Sequence, residues 1–109
     1  MSGLTTDPTE VCLNEYRPDG MQKCYLILSA EERAKGFVRP VYRSYIHRKC
    51  GAETTMALEL CETYARDPKF YGATFCVACG DHYLLRNVDG TPAFFWVKDG
   101  QNTYLAVGD

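Results

Sequence analysis

Two short segments of this chain share one pattern: residues 47–51 read HRKCG and residues 76–80 read CVACG. Each contains two side chains that can bind a metal, separated by two residues and followed by a glycine. This gap lets both side chains converge on one ion in a tight turn, and glycine accepts the positive φ that ends such a turn. We call the two segments the first and the second knuckle. Together they supply four ligands, the number that a closed structural zinc site uses.

The pattern predicts one structural zinc ion bound by His47, Cys50, Cys76 and Cys79. The 25 residues between Cys50 and Cys76 exceed the spacing of about 12–20 that is usual in zinc fingers and ribbons. The prediction therefore depends on the two knuckles taken together. The alternative is that the cysteines are ordinary buried thiols and that His47 is a surface imidazole.

The fourth ligand has a second candidate, because His82 lies three residues after Cys79 and could reach the same ion. We favour His47, since it completes a second local pair. A catalytic metal would keep one position open for water and place a carboxylate base nearby. Glu53 is the nearest candidate base, and we expect it to start a helix instead.

Length and composition predict one zinc-binding α+β domain over residues 10–109, preceded by a flexible end at residues 1–9. The N-terminus lacks an apolar signal segment, and no apolar run approaches the roughly 18 residues of a membrane span. We therefore expect the cytoplasm, where thiols stay reduced. Cys12, Cys24 and Cys61 would then be core residues, whereas in a secreted protein six cysteines would suit a disulfide framework.

Charge is unevenly distributed along the chain, although the net charge is only −2. Residues 33–49 contain six basic residues and no acid, with aromatic residues between them, and we call them the basic strip. Such a composition suits a phosphate backbone with stacked bases, a protein partner, or merely a solvated strand edge. We predict that the partner-binding residues are Arg39, Tyr42, Arg43, Tyr45 and Arg48.

Local patterns predict an α+β fold, with a small mostly antiparallel sheet and one main helix between the two knuckles. A turn at residues 18–20 joins strands 11–16 and 21–28, and Ser29 with Glu32 forms a capping box for a short helix. Thr54 or Thr55 starts the main helix, which Asp67-Pro68 ends. The other predicted strands are the basic strand 38–47 and the segments 70–75, 83–85, 94–97 and 103–107, the last two joined by a hairpin turn at Asp99-Gly100.

Longer sequence words carry a resemblance to a known group of proteins. They read EERAKGFVRPVYRSY at residues 31–45, CG at 50–51, TTM at 54–56 and ETYARDPKFYGATFC at 62–76. Over about residues 28–96 the chain resembles a group of small zinc-knuckle proteins carried by bacteriophages and prophages. Members often carry a histidine at the position of His82, so the resemblance leaves both histidines open. It implies a short accessory gene of the kind that often encodes an inhibitor of host enzymes or host defence.

These observations favour a non-enzymatic module that binds a host protein or ribonucleoprotein, such as a defence nuclease of the CRISPR type. We expect neither a membrane partner nor a small-molecule substrate. The alternative is a nucleic-acid-binding zinc ribbon that uses the basic strip. A zinc-dependent nuclease is a minor alternative, because Glu53, Glu59 and Glu62 are scattered rather than grouped with a nucleophile.

Overall fold

The structure is a computed structural model that describes residues 3–109, and its helices and strands confirm the α+β class. Neither described helix has the length and apolar character needed to cross a membrane. The helices are α1 (Ala30–Arg33) and α2 (Leu58–Arg66), and the strands are β1 (Leu4–Thr5), β2 (Tyr25–Leu26), β3 (Ser44–His47), β4 (Glu53–Thr55), β5 (Ala73–Cys76), β6 (Asp81–Leu84), β7 (Phe94–Lys98) and β8 (Gln101–Ala106).

The central sheet has the strand order β4-β3-β7-β8, and all its pairs are antiparallel. Side chains alternate across a strand, so Tyr45 and His47 share one face of β3. Their partners on β7 are Trp96 and Phe94, and all four residues are buried. This inward face forms the core together with the stripe of α2 that carries Cys61 and Tyr64.

A separate hairpin, β5-β6, has the second knuckle as its turn. It joins the central sheet through hydrogen bonds that cross between the two. The Tyr45 hydroxyl donates to the carbonyl of Phe75, and the Val77 amide donates to Thr54 Oγ1 over 3.2 Å. Phe75, which immediately precedes Cys76, is therefore hydrogen-bonded directly to β3.

The main helix begins later than predicted, at Leu58, because Thr54 and Thr55 belong to β4. Its N-cap is Ala57, which provides no side-chain hydrogen bond. Glu53 likewise lies in β4 rather than at a helix start. Ser29 is confirmed as the N-cap of α1, where its Oγ accepts a hydrogen bond from the Glu32 amide over 3.1 Å, but the Glu32 carboxylate pairs with Lys35 and Arg66 instead of completing the predicted capping box.

The basic strand is shorter than predicted and contains only Ser44–His47. The preceding segment is drawn away from the sheet, since the amides of Val38 and Arg39 both donate to the carbonyl of Ala65 at the end of α2. Pro40 has no amide hydrogen to offer a neighbouring strand. Residues 38–43 therefore form a loop whose first amides donate hydrogen bonds to a carbonyl at the C-terminal end of α2.

The predicted strand 11–16 is wrong, because Val11–Asn14 forms a 3-10 helix. Cys12 in this turn is disulfide-bonded to Cys24, which corrects the expectation that both are reduced core thiols. Cys61 is a buried free thiol as predicted, and burial raises its pKa to about 11. The predicted turn at residues 18–20 is confirmed, since Tyr16 and Gln22 form an antiparallel bridge across it, and the disulfide joins the two ends of the 11–24 segment.

The N-terminal segment, residues 3–28, lies against the second knuckle. Leu4–Thr5 is not a loose end, because it pairs in parallel with β2, whereas residues 1–2 of the predicted flexible end lie outside the described residues. At Gly20, an added Cβ would lie 2.1 Å from the carbonyl oxygen of Gly80. Only glycine permits this close approach.

We expect Gly20→Ala to detach the N-terminal segment from the second knuckle, because the new methyl group collides with backbone that cannot move aside. The matched control is Gly90→Ala, since Gly90 also has a positive φ but nothing within 4 Å of the added Cβ. Both variants carry the strain of a positive φ, about 1–2 kcal/mol. Hydrogen exchange should accelerate over residues 3–28 in Gly20→Ala alone, and equal exchange in the two variants would contradict this packing.

Candidate metal centre

Four side chains that can bind a metal converge where β3 and β5 end. The group consists of His47, Cys50, Cys76 and Cys79, and one ligand atom from each lies within 4.8 Å of all the others. Two of them, His47 and Cys76, are the last residues of their strands and are buried. The other two lie in the following turns and are exposed. The four predicted ligands are thus brought together across a sequence gap of 25 residues.

The two knuckles have the same backbone turn. In the first, the Gly51 amide donates to the carbonyl of His47 over 2.6 Å, and in the second, the Gly80 amide donates to Cys76 over 2.9 Å. Both glycines have positive φ, 73° and 67°. The turn therefore folds back on itself in each case, which directs the first and fourth side chains toward a common point.

The spacing of the ligand atoms fits a tetrahedral ion. Bonds of about 2.3 Å to sulfur and 2.0 Å to nitrogen give tetrahedral edges of roughly 3.8 Å between sulfurs and 3.5 Å between sulfur and nitrogen. Cys50 Sγ lies 3.4 Å from Cys76 Sγ and 3.6 Å from His47 Nδ1, and Cys79 Sγ lies 3.7 Å from the same nitrogen. The site can therefore hold one metal ion through three sulfurs and Nδ1.

The imidazole of His47 is held between two aromatic rings. Its centroid lies 4.6 Å from the ring of Tyr83 and 4.6 Å from that of Phe94. Burial lowers the pKa of His47, and the positive charge of Lys49 lowers it further. The ring is therefore neutral at ordinary pH, which is the form that binds a metal. The prediction did not include Tyr83 or Phe94, although strand alternation places Tyr83 on the face of Cys76.

The two cysteines that face each other differ in acidity. Hydrogen bonding, chiefly from the Ala52 backbone, lowers the pKa of the exposed Cys50 thiol. Burial raises the pKa of Cys76. Burial favours the protonated form of Cys76, and a metal ion must displace that proton when it binds. Cys50 loses its proton more readily.

His82 lies on the opposite face of the β5-β6 hairpin from Cys76. It pairs with Phe75 in the register, one residue out of step with Cys76, so its side chain points away from the ligand cluster. Its Nε2 is 2.9 Å from the Tyr25 hydroxyl, and its ring contacts Tyr16. His82 therefore holds the N-terminal segment, and His47 occupies the fourth position of the cluster.

The residues predicted to bind a partner do not form one surface. Tyr45 is only 1% exposed and belongs to the core, which corrects its assignment to a surface. Tyr42 stacks on Trp96, and the guanidinium of Arg43 donates to the carbonyl of Met56. Arg39 and Arg48 are exposed, but they donate to the carbonyls of Asp109 and Pro92 at separate places.

Ion pairs neutralise the first part of the basic strip. Arg33 pairs with Glu62 over 3.0 Å, and Lys35 pairs with Glu32 over 2.9 Å. Two cations remain at the first knuckle, where Arg48 lies over the ring of Phe95 and Lys49 over that of Tyr83. Arg39 and Arg43, the other two cations of the strip, donate to backbone carbonyls elsewhere, so two of its four unpaired cations lie beside the metal centre.

We expect one equivalent of metal per chain after purification without added metal. Cys76→Ser and Cys79→Ser should lose both the metal and the fold, because binding free energy at such a site is largely folding free energy. Cys12→Ser removes only the disulfide, so it should retain the metal and serves as the control. Elemental analysis checks this, and a folded protein with less than half an equivalent of metal per chain would contradict the prediction.

His47→Ala and His82→Ala should differ in how long they retain the metal. Removing His47 opens a coordination position to water, so metal transfer to a chelator should be faster by about tenfold or more. Removing His82 breaks contacts with Tyr25, Tyr16 and Phe75 but removes no member of the ligand cluster, so it should leave the transfer rate near that of the native protein. The rate is measured with a chromophoric chelator, and the reverse ranking would assign the fourth ligand to His82.

Comparison of the chain with protein-family models, with curated proteins and with solved structures gave no match. The features of this chain that bear on its function are therefore its metal centre and the exposed side chains around it.

Proposed function

We propose that this chain is a zinc-stabilised, non-enzymatic phage protein that binds a host macromolecule, and that its target is a host defence nuclease, such as a CRISPR effector, which it inhibits. The observation that carries the structural, zinc-stabilised part of the proposal is the ligand cluster of His47, Cys50, Cys76 and Cys79, whereas the phage origin and the nuclease target rest on the resemblance of residues 28–96. Four protein ligands fill a tetrahedral ion completely, which is the arrangement of structural sites. Sulfur-rich tetrahedral sites favour zinc among the common divalent ions.

The surroundings of the cluster support a structural role for the metal. His47 and Cys76 end two strands of different sheets, which are also joined by a hydrogen bond from Tyr45 and by core packing. Glu62, one of the candidate bases, lies on α2 and is already paired with Arg33. Glu53 lies on β4, the edge strand of the central sheet. The Glu62 carboxylate therefore contributes an ion pair to the fold, and we propose a structural contribution for the metal as well.

An exposed group beside the first knuckle supports a macromolecular partner. We call Arg48, Phe95 and Tyr104 the aromatic patch. The guanidinium of Arg48 lies 5.7 Å from the centre of the Phe95 ring, which is 5.9 Å from the ring of Tyr104. Tyrosine and arginine are the residue types that most often anchor protein interfaces.

Tyr104 is held in an unusual position. It is 75% exposed and has a φ of 58°, which is rare for a residue with a bulky side chain. Asn102 Oδ1 accepts a hydrogen bond from its amide over 2.7 Å, and the β7-β8 register shifts between Phe95 and Val97. A bulge of this kind redirects a side chain, here outward and beside Phe95. Backbone strain that presents an aromatic ring to solvent fits a binding role.

Nucleic acid is the second candidate, favoured by the aromatic rings beside Arg48 and Lys49. Bases stack on exposed aromatic side chains, and cations near them follow the phosphate backbone. The two candidates differ in salt dependence, because each phosphate contact releases counterions. A protein partner would show a much weaker dependence on salt.

The test begins with identification of the partner from bacterial host lysate, followed by measurement of binding between the two purified components. Arg48→Glu and Tyr104→Ala should each weaken binding about thirtyfold, which corresponds to roughly 2 kcal/mol for an interface anchor. Lys69→Glu is the control, since Lys69 is exposed and lies outside the aromatic patch. All three variants should retain zinc.

Several outcomes would contradict the proposal. Native affinity in Arg48→Glu and Tyr104→Ala would place the interface elsewhere on the protein. Binding that falls steeply with salt and does not depend on the identity of a protein partner would favour the nucleic-acid reading. A partner whose activity is unchanged by saturating amounts of this protein would exclude inhibition.

A further inference from the structure

A cavity of about 360 Å³ opens between the N-terminal segment, α2 and β5. Tyr45 and Phe75 line it, and its lining contains neither the metal ligands nor the aromatic patch. A cavity of this size is in the range of small-molecule sites. It is thus a second candidate binding site, separate from the surface proposed for the macromolecular partner.

The walls of the cavity are apolar and aromatic. Met21 comes from the N-terminal segment, Met56 and Leu60 from the start of the helical region, and Tyr64 and Phe75 from the core. Such walls would pack against the faces of a planar ring, and sulfur and aromatic groups both make favourable contacts with one.

The floor of the cavity carries a row of hydroxyl groups. Thr74 Oγ1 donates to the Tyr45 hydroxyl over 2.9 Å, and that hydroxyl donates in turn to the carbonyl of Phe75. Thr54 Oγ1 accepts the Val77 amide, so its own proton can be donated elsewhere. Thr74 Oγ1 keeps its lone pairs available for a further donor. A hydroxyl group on a ligand could therefore both donate and accept at this floor.

The charges at the rim balance each other. Arg17, which lines the cavity, lies 3.3 Å from Asp19, which does not, and the other two charged lining residues, Lys23 and Glu59, are opposite in sign. The rim therefore attracts neither anions nor cations strongly. Electrostatic complementarity favours an uncharged occupant.

We propose that this cavity binds a small, uncharged aromatic molecule that carries a hydroxyl group, a phenol of one or two rings. The aromatic walls pack against the ring, and the threonine hydroxyls of the floor hydrogen-bond to its hydroxyl group. Charges of opposite sign at the rim offset each other, so binding requires no charge on the ligand. This ligand site is independent of the proposed macromolecular function.

The test uses the metal-loaded protein labelled with ¹³C at the methionine methyl groups, because Met21 and Met56 both line the cavity, and with ¹⁵N throughout, so that the backbone amides are observed as well. Titration with p-cresol should shift both methyl signals along one saturable curve. The amide of Val88, in an exposed turn outside the cavity, should not shift. Toluene has the same ring and methyl group without the hydroxyl, so it should bind about tenfold more weakly.

A filled cavity should block binding. Leu60→Trp places an indole in the cavity, whereas Leu58→Trp places the same group on an exposed part of α2 and is the matched control. We expect p-cresol to shift the methionine signals in Leu58→Trp but not in Leu60→Trp. Absence of saturable shifts in the native protein, or affinity for toluene equal to that for p-cresol, would overturn the proposal, and this second comparison does not depend on any variant folding.

Discussion

The convergence of four ligand atoms at the ends of β3 and β5 is the constraint on which the rest of this fold depends. The central sheet and the β5-β6 hairpin are separate sheets, and they share few direct hydrogen bonds. A domain of 109 residues has a modest core, so a metal at this junction would contribute much of the stability that packing alone does not provide. The core residues Tyr45 and Phe94 are arranged around the same junction.

Strand alternation explains how one hairpin serves two purposes. Cys76 on β5 points toward the ligand cluster, and the neighbouring residue Phe75 points the other way, together with its partner His82. The face of Cys76 therefore belongs to the metal, and the face of His82 belongs to the N-terminal segment through Tyr25. Gly20, pressed against Gly80, completes this second contact. The N-terminal segment thus reinforces the knuckle from the side opposite the ligands.

The sequence predicted those features whose cause is local. The knuckle turns, the Ser29 cap and the Asp99-Gly100 hairpin turn each follow from a few neighbouring residues, and all are present. The wrong predictions lie where contacts between residues that are distant in sequence determine the backbone conformation. Strand 11–16 gave way to a disulfide with Cys24, and strand 38–43 gave way to hydrogen bonds with Ala65. The burial of Tyr45 depends on pairing with β7, which the composition of the basic strip does not reveal.

The most direct measurement of the central claim is X-ray absorption fine structure at the K edge of the metal in the purified protein. The account predicts a first shell of three sulfurs at about 2.3 Å and one nitrogen at about 2.0 Å, with the outer-shell pattern of a single imidazole. The same shell should persist in His82→Ala and should lose its imidazole pattern in His47→Ala. A shell dominated by oxygen, or an imidazole pattern that disappears in His82→Ala, would contradict it.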